Sequence, residues 1–489
     1  MTSSVLPVAV IGAGPVGLAA AAHLLERDET PLIFEAGAGI GANIRQWQHV
    51  RLFSPWEYTV DAATARLLEP SGWHMPPAQE LPTGRDLVER YLLPFSQLPA
   101  VQPHLHLNAR VVAISRENID KMKDAGRDDA PFVLHVVYGD GREKLFEARA
   151  VIDASGTWHK PNPLGSGGLP AMGEQRHSDH IFYGIPDVLG ENQARFANKR
   201  VMVVGSGHSA INALLELAQL RADYPETVIT WAMRGTNLRQ VFGGGEDDAL
   251  PARGQLGTRI QAHVDAGSIT IVSPFRIREI GAADAGIAVI GQTPTGLQTV
   301  VVDELIATTG ARPDLDMLRE LRLELDPSLE STRQLGPLID PNIHSCGTVR
   351  PHGEAELRHP EKNFYVVGMK SYGRAPTFLL ATGYEQVRSV VAALVGDWEA
   401  ARDVQLNLPE TGVCSTDLAG EGAACCGTGV SQSAPLAASL ISLNAIPFAV
   451  NQLQPVALPV ATRDCGCADD CCGDGVKSTT CGCDSTCCS

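Results

Sequence analysis

One pattern occurs twice in this 489-residue chain: an apolar strand, a glycine-rich turn and a helix. In the first copy, the strand Val8–Ile11 leads into G-A-G-P-V-G at 12–17 and then into a helix of small residues, Gly17–Leu25. In the second copy, the strand Val201–Val204 leads into G-S-G-H-S-A at 205–210, and a helix follows. Two such units predict an α/β protein with two Rossmann-like, three-layer domains, each binding a dinucleotide.

The first turn has the residue types that a pyrophosphate site needs. Gly12 permits the tight turn, Gly14 lets the backbone approach the pyrophosphate, and Gly17 lets the helix pack against the strand. Glu35 ends the second strand, where a carboxylate can hold both ribose hydroxyls of an adenosine. An N-terminal motif with this acid resembles the start of flavoenzymes, which open with their FAD motif, and so favours FAD. We therefore assign Gly12, Gly14, Pro15, Gly17 and Glu35 to FAD binding.

The second turn differs at the position that selects between NADH and NADPH. Ala210 replaces the third glycine and still packs closely. Where the first unit has an acid, the second has Arg234, which can pair with a 2′-phosphate. The alternative for Arg234 is a solvated surface arginine. The residues assigned to NADPH are Gly205, Ser206, Gly207, His208, Ser209 and Arg234.

Three later segments are predicted to be strands that enter glycine-bearing turns, namely Val151–Asp153, Val300–Val302 and Asn363–Val367. Leu379–Leu394 is predicted to be a closing helix, and Phe242–Gly257 an irregular loop.

The stretches V-I-D-A-S-G-T at 151–157, I-A-T-T-G-A-R-P-D at 306–314 and N-F-Y-V-V-G at 363–368 carry a family resemblance. Residues 8–395 resemble the flavoproteins with two dinucleotide-binding domains, which include flavin-containing monooxygenases and thioredoxin-reductase-like enzymes. Met369 departs from the thioredoxin reductase pattern, which has Asp there. Gly41–Trp56 resembles the segment that wraps the FAD. The resemblance implies further cofactor contacts at Gln46, Trp47, Ser54, Val111, Ala154, Gly156, Gly310 and Gly368.

Cysteine placement favours one branch of that family. Disulfide reductases need two closely spaced thiols beside the flavin, whereas only Cys346 of the 12 cysteines precedes Cys414. This favours a monooxygenase. The monooxygenase fingerprint, an aromatic residue followed by G-x-x-x-H, is half present: Gly173 and His177 are spaced correctly, but Ala171 replaces the aromatic residue. His177 as an ordinary linker histidine remains the alternative. No general acid or base is predicted.

The C-terminal tail repeats one cysteine spacing, C-G-C-A-D-D-C-C at 465–472 and C-G-C-D-S-T-C-C at 481–488. Thiolates suit soft ions such as Cu(I), zinc, mercury or trivalent arsenic. The alternative is a disordered, randomly oxidised tail. The candidate metal or metalloid ligands are Cys425, Cys426, Cys465, Cys467, Cys471, Cys472, Cys481, Cys483, Cys487 and Cys488.

Body and tail together resemble the flavin-dependent monooxygenases of arsenic-resistance gene clusters, the ArsO type. That resemblance implies transfer of one oxygen atom from O2, through a flavin hydroperoxide, to a soft nucleophile such as trivalent arsenic. Cys346 is then either a way-station or a buried structural cysteine. Two alternatives stay open: an FAD-dependent metal-ion or disulfide reductase, and a flavoprotein for an unrelated metabolite with a metallothionein-like tail.

Composition limits the partners and the location. A net charge of −17 argues against nucleic acid or an anionic membrane as the main partner. Residues 422–462 carry no charge, but prolines interrupt them before any apolar run could span a membrane. A cytoplasmic enzyme is expected, and a homodimer is one option. The expected domains are FAD-binding at 1–165 and 311–400, NADPH-binding at 166–310, a linker at 401–462 and the irregular cysteine-rich tail at 463–489.

Overall fold

The computed structural model describes residues 6–236, 251–343, 351–376 and 378–406, all within one compact unit, Met1–Glu421. The strands are β1 (Val8–Ile11), β2 (Pro31–Phe34), β3 (Leu105–His106), β4 (Ala109–Arg116), β5 (Phe132–Tyr138), β6 (Glu143–Ala148), β7 (Ala150–Asp153), β8 (Ile181–Tyr183), β9 (Arg200–Val204), β10 (Val228–Ala232), β11 (Thr270–Val272), β12 (Arg276–Ala282), β13 (Ile287–Thr293), β14 (Gly296–Val302), β15 (Glu304–Ala307) and β16 (Phe364–Val366). The helices are α1 (Pro15–Leu25), α2 (Ala42–Arg45), α3 (Trp56–Thr59), α4 (Ala62–Leu68), α5 (Gly84–Leu87), α6 (Leu93–Ser96), α7 (Gln193–Phe196), α8 (His208–Asp223), α9 (Pro251–Asp265), α10 (Gly336–Ile339), α11 (Glu354–Leu357), α12 (Leu380–Leu394) and α13 (Trp398–Arg402).

The first parallel sheet has the strand order β16-β7-β1-β2-β3. Every residue of β1 is buried, as expected for a parallel strand covered on both faces. Ile11 pairs with Phe34 on one side and with Asp153 on the other. The carboxyl ends of β1, β2 and β7 are therefore level, so the turns that follow them meet at one edge of the sheet.

The second parallel sheet has the order β11-β10-β9-β15-β8 and repeats the same plan. Val204 pairs with Ala232 and with Ala307, so the turns after β9, β10 and β15 also share an edge. We call each parallel sheet, with the elements that pack on it, one half of the molecule. In each half, one face of the parallel sheet packs on helices, chiefly α1 and α12 in the first half and α8 and α9 in the second. The other face packs on a three-stranded antiparallel sheet, β4–β6 in the first half and β12–β14 in the second. The α/β, Rossmann-like fold expected from the two motifs is thus observed.

Two sequence predictions need correction. Val300–Val302 ends the antiparallel strand β14, and it is β15 that enters the glycine turn at Gly310. Residues 251–257, expected to be irregular because of their glycines, form the start of α9, while 242–250 lie outside the described residues. Each glycine lowers helix propensity by about 1 kcal/mol, but packing of Leu256 and Ile260 on the core of the second half offsets that cost.

A buried ion cluster joins β4 to two distant loops. The Glu361 carboxylate accepts hydrogen bonds from Arg116 Nε at 2.8 Å and from Arg127 Nη2 at 2.7 Å, and all three side chains are almost fully buried. The backbone N–H of Arg322 donates to the same carboxylate at 2.9 Å. The remaining guanidinium donors reach backbone carbonyls, among them those of Ala130 and Glu320. The cluster is therefore a satisfied structural network, well placed to lock these loops together.

Across the described ranges, no helix is long and apolar enough to cross a membrane.

Candidate functional site

The first glycine turn has the geometry of a dinucleotide cradle. Gly12 has a φ of 99°, and an added Cβ there would lie 2.7 Å from the Ala154 carbonyl oxygen. An added Cβ at Gly17 would overlap the carbonyl oxygen of Gly12, so α1 packs directly on the turn. At Gly14, by contrast, an added Cβ meets none of the described atoms within 4 Å. The first and third glycines are thus required by close packing, and the second faces open space suited to a pyrophosphate.

The start of α1 presents its amides to that space. Its N-cap is Gly14 and its first residue is Pro15, and no side chain in the described structure caps it. Glu35 lies beside the same turn, because its carboxylate accepts hydrogen bonds from the backbone N–H of Ala13 at 2.9 Å and of Gly37 at 2.8 Å. An anion can therefore bind at the helix start while the carboxylate remains fixed next to it.

The second glycine turn repeats this arrangement. Gly205 has a φ of 141°, and a Cβ there would collide with Thr308 at the end of β15. At Gly207 a Cβ would again meet none of the described atoms within 4 Å, and no described side chain caps α8. Ala210 is fully buried, as expected for the close-packing position. Ser206 and Ser209 are exposed at the same turn.

Arg234 lies just beyond the carboxyl end of β10, where the corresponding strand of the first half places Glu35. Its side chain is exposed, and Nη1 donates to the Ser166 carbonyl oxygen at 3.2 Å. The guanidinium is therefore available at the edge of the second turn.

Replacing Arg234 with Ala tests its assignment to a 2′-phosphate. We expect the KM for NADPH to rise far more than the KM for NADH, because a charge-assisted contact worth about 1.5–3 kcal/mol is lost. Steady-state kinetics with both coenzymes measure this. Equal changes in the two KM values would refute the phosphate role.

The segment assigned to wrapping the FAD reaches the second half of the molecule. Gln46 Oε1 accepts a hydrogen bond from Trp158 Nε1 at 2.8 Å, and the rings of Phe53 and His208 lie 5.5 Å apart. Because His208 begins α8, this segment contacts the second glycine turn directly. Trp47 instead packs into the core beside Gly84, Ser54 is half-buried, and Val111 is buried in β4.

The turns after β7, β15 and β16 all contain glycines in the left-handed region. The φ angles are 71° at Gly156, 81° at Gly310 and 68° at Gly368. The backbone N–H of Gly368 donates to Gln386 Oε1 at 2.7 Å. An added Cβ at Gly368 would lie 3.3 Å from Val16, so this turn packs closely on α1. The β7 and β16 turns thus meet the first glycine motif, as β16, β7 and β1 are neighbours in the sheet.

Three residues that the sequence did not assign to the site lie between those turns. Lys370 Nζ donates to Asp153 Oδ2 at 2.6 Å and to Ser155 Oγ at 3.0 Å. Asp153 ends β7, and Ser155 follows Ala154, the residue that Gly12 touches. Only the departure at Met369 signalled in the sequence that this turn is unusual.

The half-matched monooxygenase fingerprint has a structural explanation. Gly173 has a φ of 78°, and a Cβ there would overlap the carbonyl oxygen of Ile280 in β12. The backbone N–H of His177 donates to the Gly173 carbonyl oxygen at 3.0 Å, closing a turn. The glycine is thus required by contact with β12, which favours the linker interpretation of His177.

All twelve cysteines lie outside the described residues, as 344–350 contains Cys346 and the other eleven follow 406. The described ranges contain no group of three or more His, Cys, Asp or Glu side chains that could hold a metal ion. The role of the tail cysteines as metal or metalloid ligands therefore remains a prediction.

A titratable group at α8 gives the fold a pH dependence. Burial raises the pKa of the Glu216 carboxyl to about 7; a hydrogen bond from the Val188 N–H works against this, and repulsion from Asp187 adds to it. The folded protein thus keeps this proton to higher pH than the unfolded chain does. The contribution of Glu216 to stability is therefore full below the ordinary pKa of a glutamate and is lost as the pH rises through about 7.

Glu216→Gln removes this dependence. We expect the difference in melting temperature, variant minus parent, to be larger at pH 8.5 than at pH 5. Thermal unfolding followed by circular dichroism at both pH values measures the difference, and an equal difference at the two pH values would contradict the assignment.

Comparison with known proteins adds to this geometry. Residues 135–334 match the family model "Pyridine nucleotide-disulphide oxidoreductase", and residues 10–76 match "NAD(P)-binding Rossmann-like domain". Over residues 135–334 the chain is thus similar to the pyridine nucleotide-disulphide oxidoreductases. It is a flavin-dependent pyridine nucleotide oxidoreductase with Rossmann domains for FAD and NAD(P).

Its relatives are distant and named for different activities. The chain is 24% identical over 359 residues to ferredoxin–NADP reductase 1 of Bacillus velezensis, covering 72% of this chain and 86% of that protein. Among solved structures, bacillithiol disulfide reductase of Bacillus cereus superposes with a TM-score of 0.59 at 18% identity, covering 81% of this chain and 99% of that one. The cadaverine monooxygenase DfoA of Erwinia amylovora superposes with a TM-score of 0.57 at 13% identity, covering 84% and 100%. At these identities the structural matches establish the fold alone.

Proposed function

We propose that the protein is an NADPH-dependent flavoprotein monooxygenase, with FAD at the first glycine turn and NADPH at the second. The observation that carries the proposal is the contact between the two sites: Phe53, in the segment assigned to the FAD, lies against His208 of the second turn. When bound, FAD supplies two-electron transfer from the nicotinamide and the activation of O2. The chain's own residues would hold the two diphosphate groups at the two glycine turns, place Glu35 and Arg234 beside the two riboses, and bring the two halves together.

The choice of O2 as acceptor rests on the cysteines. Residues 1–345 contain none, and this range includes the whole region that matches the oxidoreductase family model. A disulfide acceptor beside the flavin would need a pair of thiols from elsewhere in the chain or from a partner. The DfoA structure supports the proposal in part, because a protein named as a monooxygenase has this fold.

The proposed substrate is a soft nucleophile, with trivalent arsenic as the specific candidate. The support is the repeated cysteine spacing of the tail, since thiolates bind soft metalloids. In the balanced reaction NADPH supplies two electrons and O2 supplies two oxygen atoms. One oxygen atom is bonded to arsenic, which is oxidised from the trivalent to the pentavalent state, and the other leaves as water.

A metal-ion or disulfide reductase is the second candidate. The likeness to bacillithiol disulfide reductase and the thiol pairs of the tail favour it. This candidate predicts turnover without O2.

The test uses the purified full-length protein. We expect a flavin absorption spectrum, and NADPH oxidation in air that is stimulated by arsenite or methylarsenite with equal consumption of NADPH and O2. A colourless protein with no affinity for FAD, or equally fast turnover under strict anaerobiosis, would overturn the proposal.

The role of the tail is tested separately. We compare a variant ending at Leu408 with a full-length variant in which the eight cysteines of the two blocks are replaced by Ser. If the thiols deliver substrate, both variants lose affinity for the arsenical while NADPH affinity is unchanged. Unchanged turnover and substrate affinity in both would show that the tail is not a delivery arm.

A further inference from the structure

Lys370 is a buried cation in the wall of the first nucleotide site. Its side chain and that of Asp153 both have no solvent exposure, and their charged atoms are 2.6 Å apart. Such a pair costs desolvation, which its mutual attraction and additional hydrogen bonds must offset. The additional bonds are present, as Asp153 Oδ1 accepts from the Ser155 N–H at 3.1 Å and from Ser155 Oγ at 2.7 Å.

The pair connects two turns that meet at the edge of the first sheet. Lys370 lies in the short 3-10 helix Gly368–Tyr372 after β16, and Asp153 ends the neighbouring strand β7. The 3-10 helix is also held at Gly368 by Gln386, whose side chain is fully buried. The position of the whole turn is therefore fixed from two sides by polar contacts.

Ser155 places this network directly behind the phosphate turn. An added Cβ at Gly12 would lie 3.1 Å from the Cα of Ser155, so the two backbones touch. Lys370 Nζ is 3.0 Å from Ser155 Oγ. The Lys370–Asp153 pair therefore contacts Ser155, whose backbone touches Gly12 of the phosphate turn, in a buried region of low dielectric where charges act strongly.

We infer that Lys370 is a positioning residue for the FAD diphosphate: it neutralises Asp153 and holds Ser155 against Gly12, so that no uncompensated carboxylate faces the diphosphate. This inference rests on the proposed placement of FAD at the first glycine turn. It assigns to a lysine a task that the glycine motif alone cannot perform.

The experiment measures the dissociation constant of FAD from the full-length apoprotein by titration of flavin fluorescence. Lys370→Met leaves the buried carboxylate unpaired near the diphosphate, and we expect the dissociation constant to rise by about tenfold or more. Asp153→Asn leaves the ammonium in place and is expected to leave FAD binding unchanged or tighter. The double variant Asp153→Asn/Lys370→Met should return to within about threefold of the parent.

Lys362→Met is the matched control, because it removes an equal charge from an exposed lysine just before β16. It should leave FAD binding unchanged. If Lys370→Met and Asp153→Asn weaken FAD binding to a similar extent, the pair is purely structural and the inference is overturned. Parental FAD affinity in Lys370→Met would overturn it as well. If Lys370→Met does not fold, the test rests on Asp153→Asn and the double variant. Weakened FAD binding in both of these variants would overturn the inference. Parental protein that binds no FAD would instead refute the proposed function itself.

Discussion

Replacing Glu361 with Gln is expected to destabilise the folded protein by about 3–5 kcal/mol, the largest single effect that we predict. The substitution leaves Arg116 and Arg127 buried without their carboxylate, while both guanidinium groups stay fixed by backbone carbonyls. Urea denaturation followed by circular dichroism measures the free energy of unfolding.

The same carboxylate contributes to acid sensitivity. Burial opposes its ionisation, but hydrogen bonds from Arg127 and Arg116 outweigh burial and hold the pKa of Glu361 below its ordinary value. Its contribution is therefore present above the ordinary pKa of a glutamate and is lost as the pH falls through the lowered value. Stability measured between neutral pH and pH 3 should fall less steeply in Glu361→Gln than in the parent.

Glu330→Gln provides the comparison. Its partner Arg312 is 3.7 Å away and both side chains are about one-third exposed, so the expected loss is roughly 0–1 kcal/mol. Equal losses in the two variants would show that the buried cluster does not have the strength assigned to it.

Gly14→Ala and Gly17→Ala should separate nucleotide binding from folding. Alanine at Gly17 overlaps the Gly12 carbonyl oxygen, so the turn must shift, at a cost of about 1–3 kcal/mol in stability. Alanine at Gly14 points into open space and should lower the melting temperature of the apoprotein only slightly, through the poorer N-cap that alanine makes for α1. Its methyl group would nevertheless stand where the diphosphate must approach, and we expect about a tenfold or greater loss of FAD affinity.

Thermal unfolding of the apoprotein and titration with FAD distinguish these outcomes. The assignment of the first turn would be wrong if Gly14→Ala bound FAD with parental affinity. It would also be wrong if Gly14→Ala lowered the melting temperature as much as Gly17→Ala.

The local parts of this site could be predicted because their signals are local. A glycine turn, the strand before it and the helix after it lie within a short stretch, and each glycine has a separate steric reason. Glu35 and Arg234 could be located in the same way, by counting from the turn to the end of the next strand. The helix at 251–257 could not, since its stability comes from packing of Leu256 and Ile260 on the second core.

The buried charges could not be predicted for a different reason. Lys370 and Asp153 are 217 positions apart, and Arg116 and Glu361 are 245 apart. Neither pair belongs to a periodic pattern, and nothing in the sequence links the two members of a pair. Only the strand order β16-β7-β1 brings Lys370 and Asp153 together.

The repeated plan of the two halves has a consequence for how such a protein can change. Arg234 is exposed, lies beyond its strand and supports none of the described core, whereas Gly205 and Ala210 are locked by close packing. With Arg234 in its proposed role, the preference for one coenzyme over another can be changed at this exposed position without disturbing the packed core. A lineage could exchange its electron donor through single substitutions, each tolerated by the rest of the molecule.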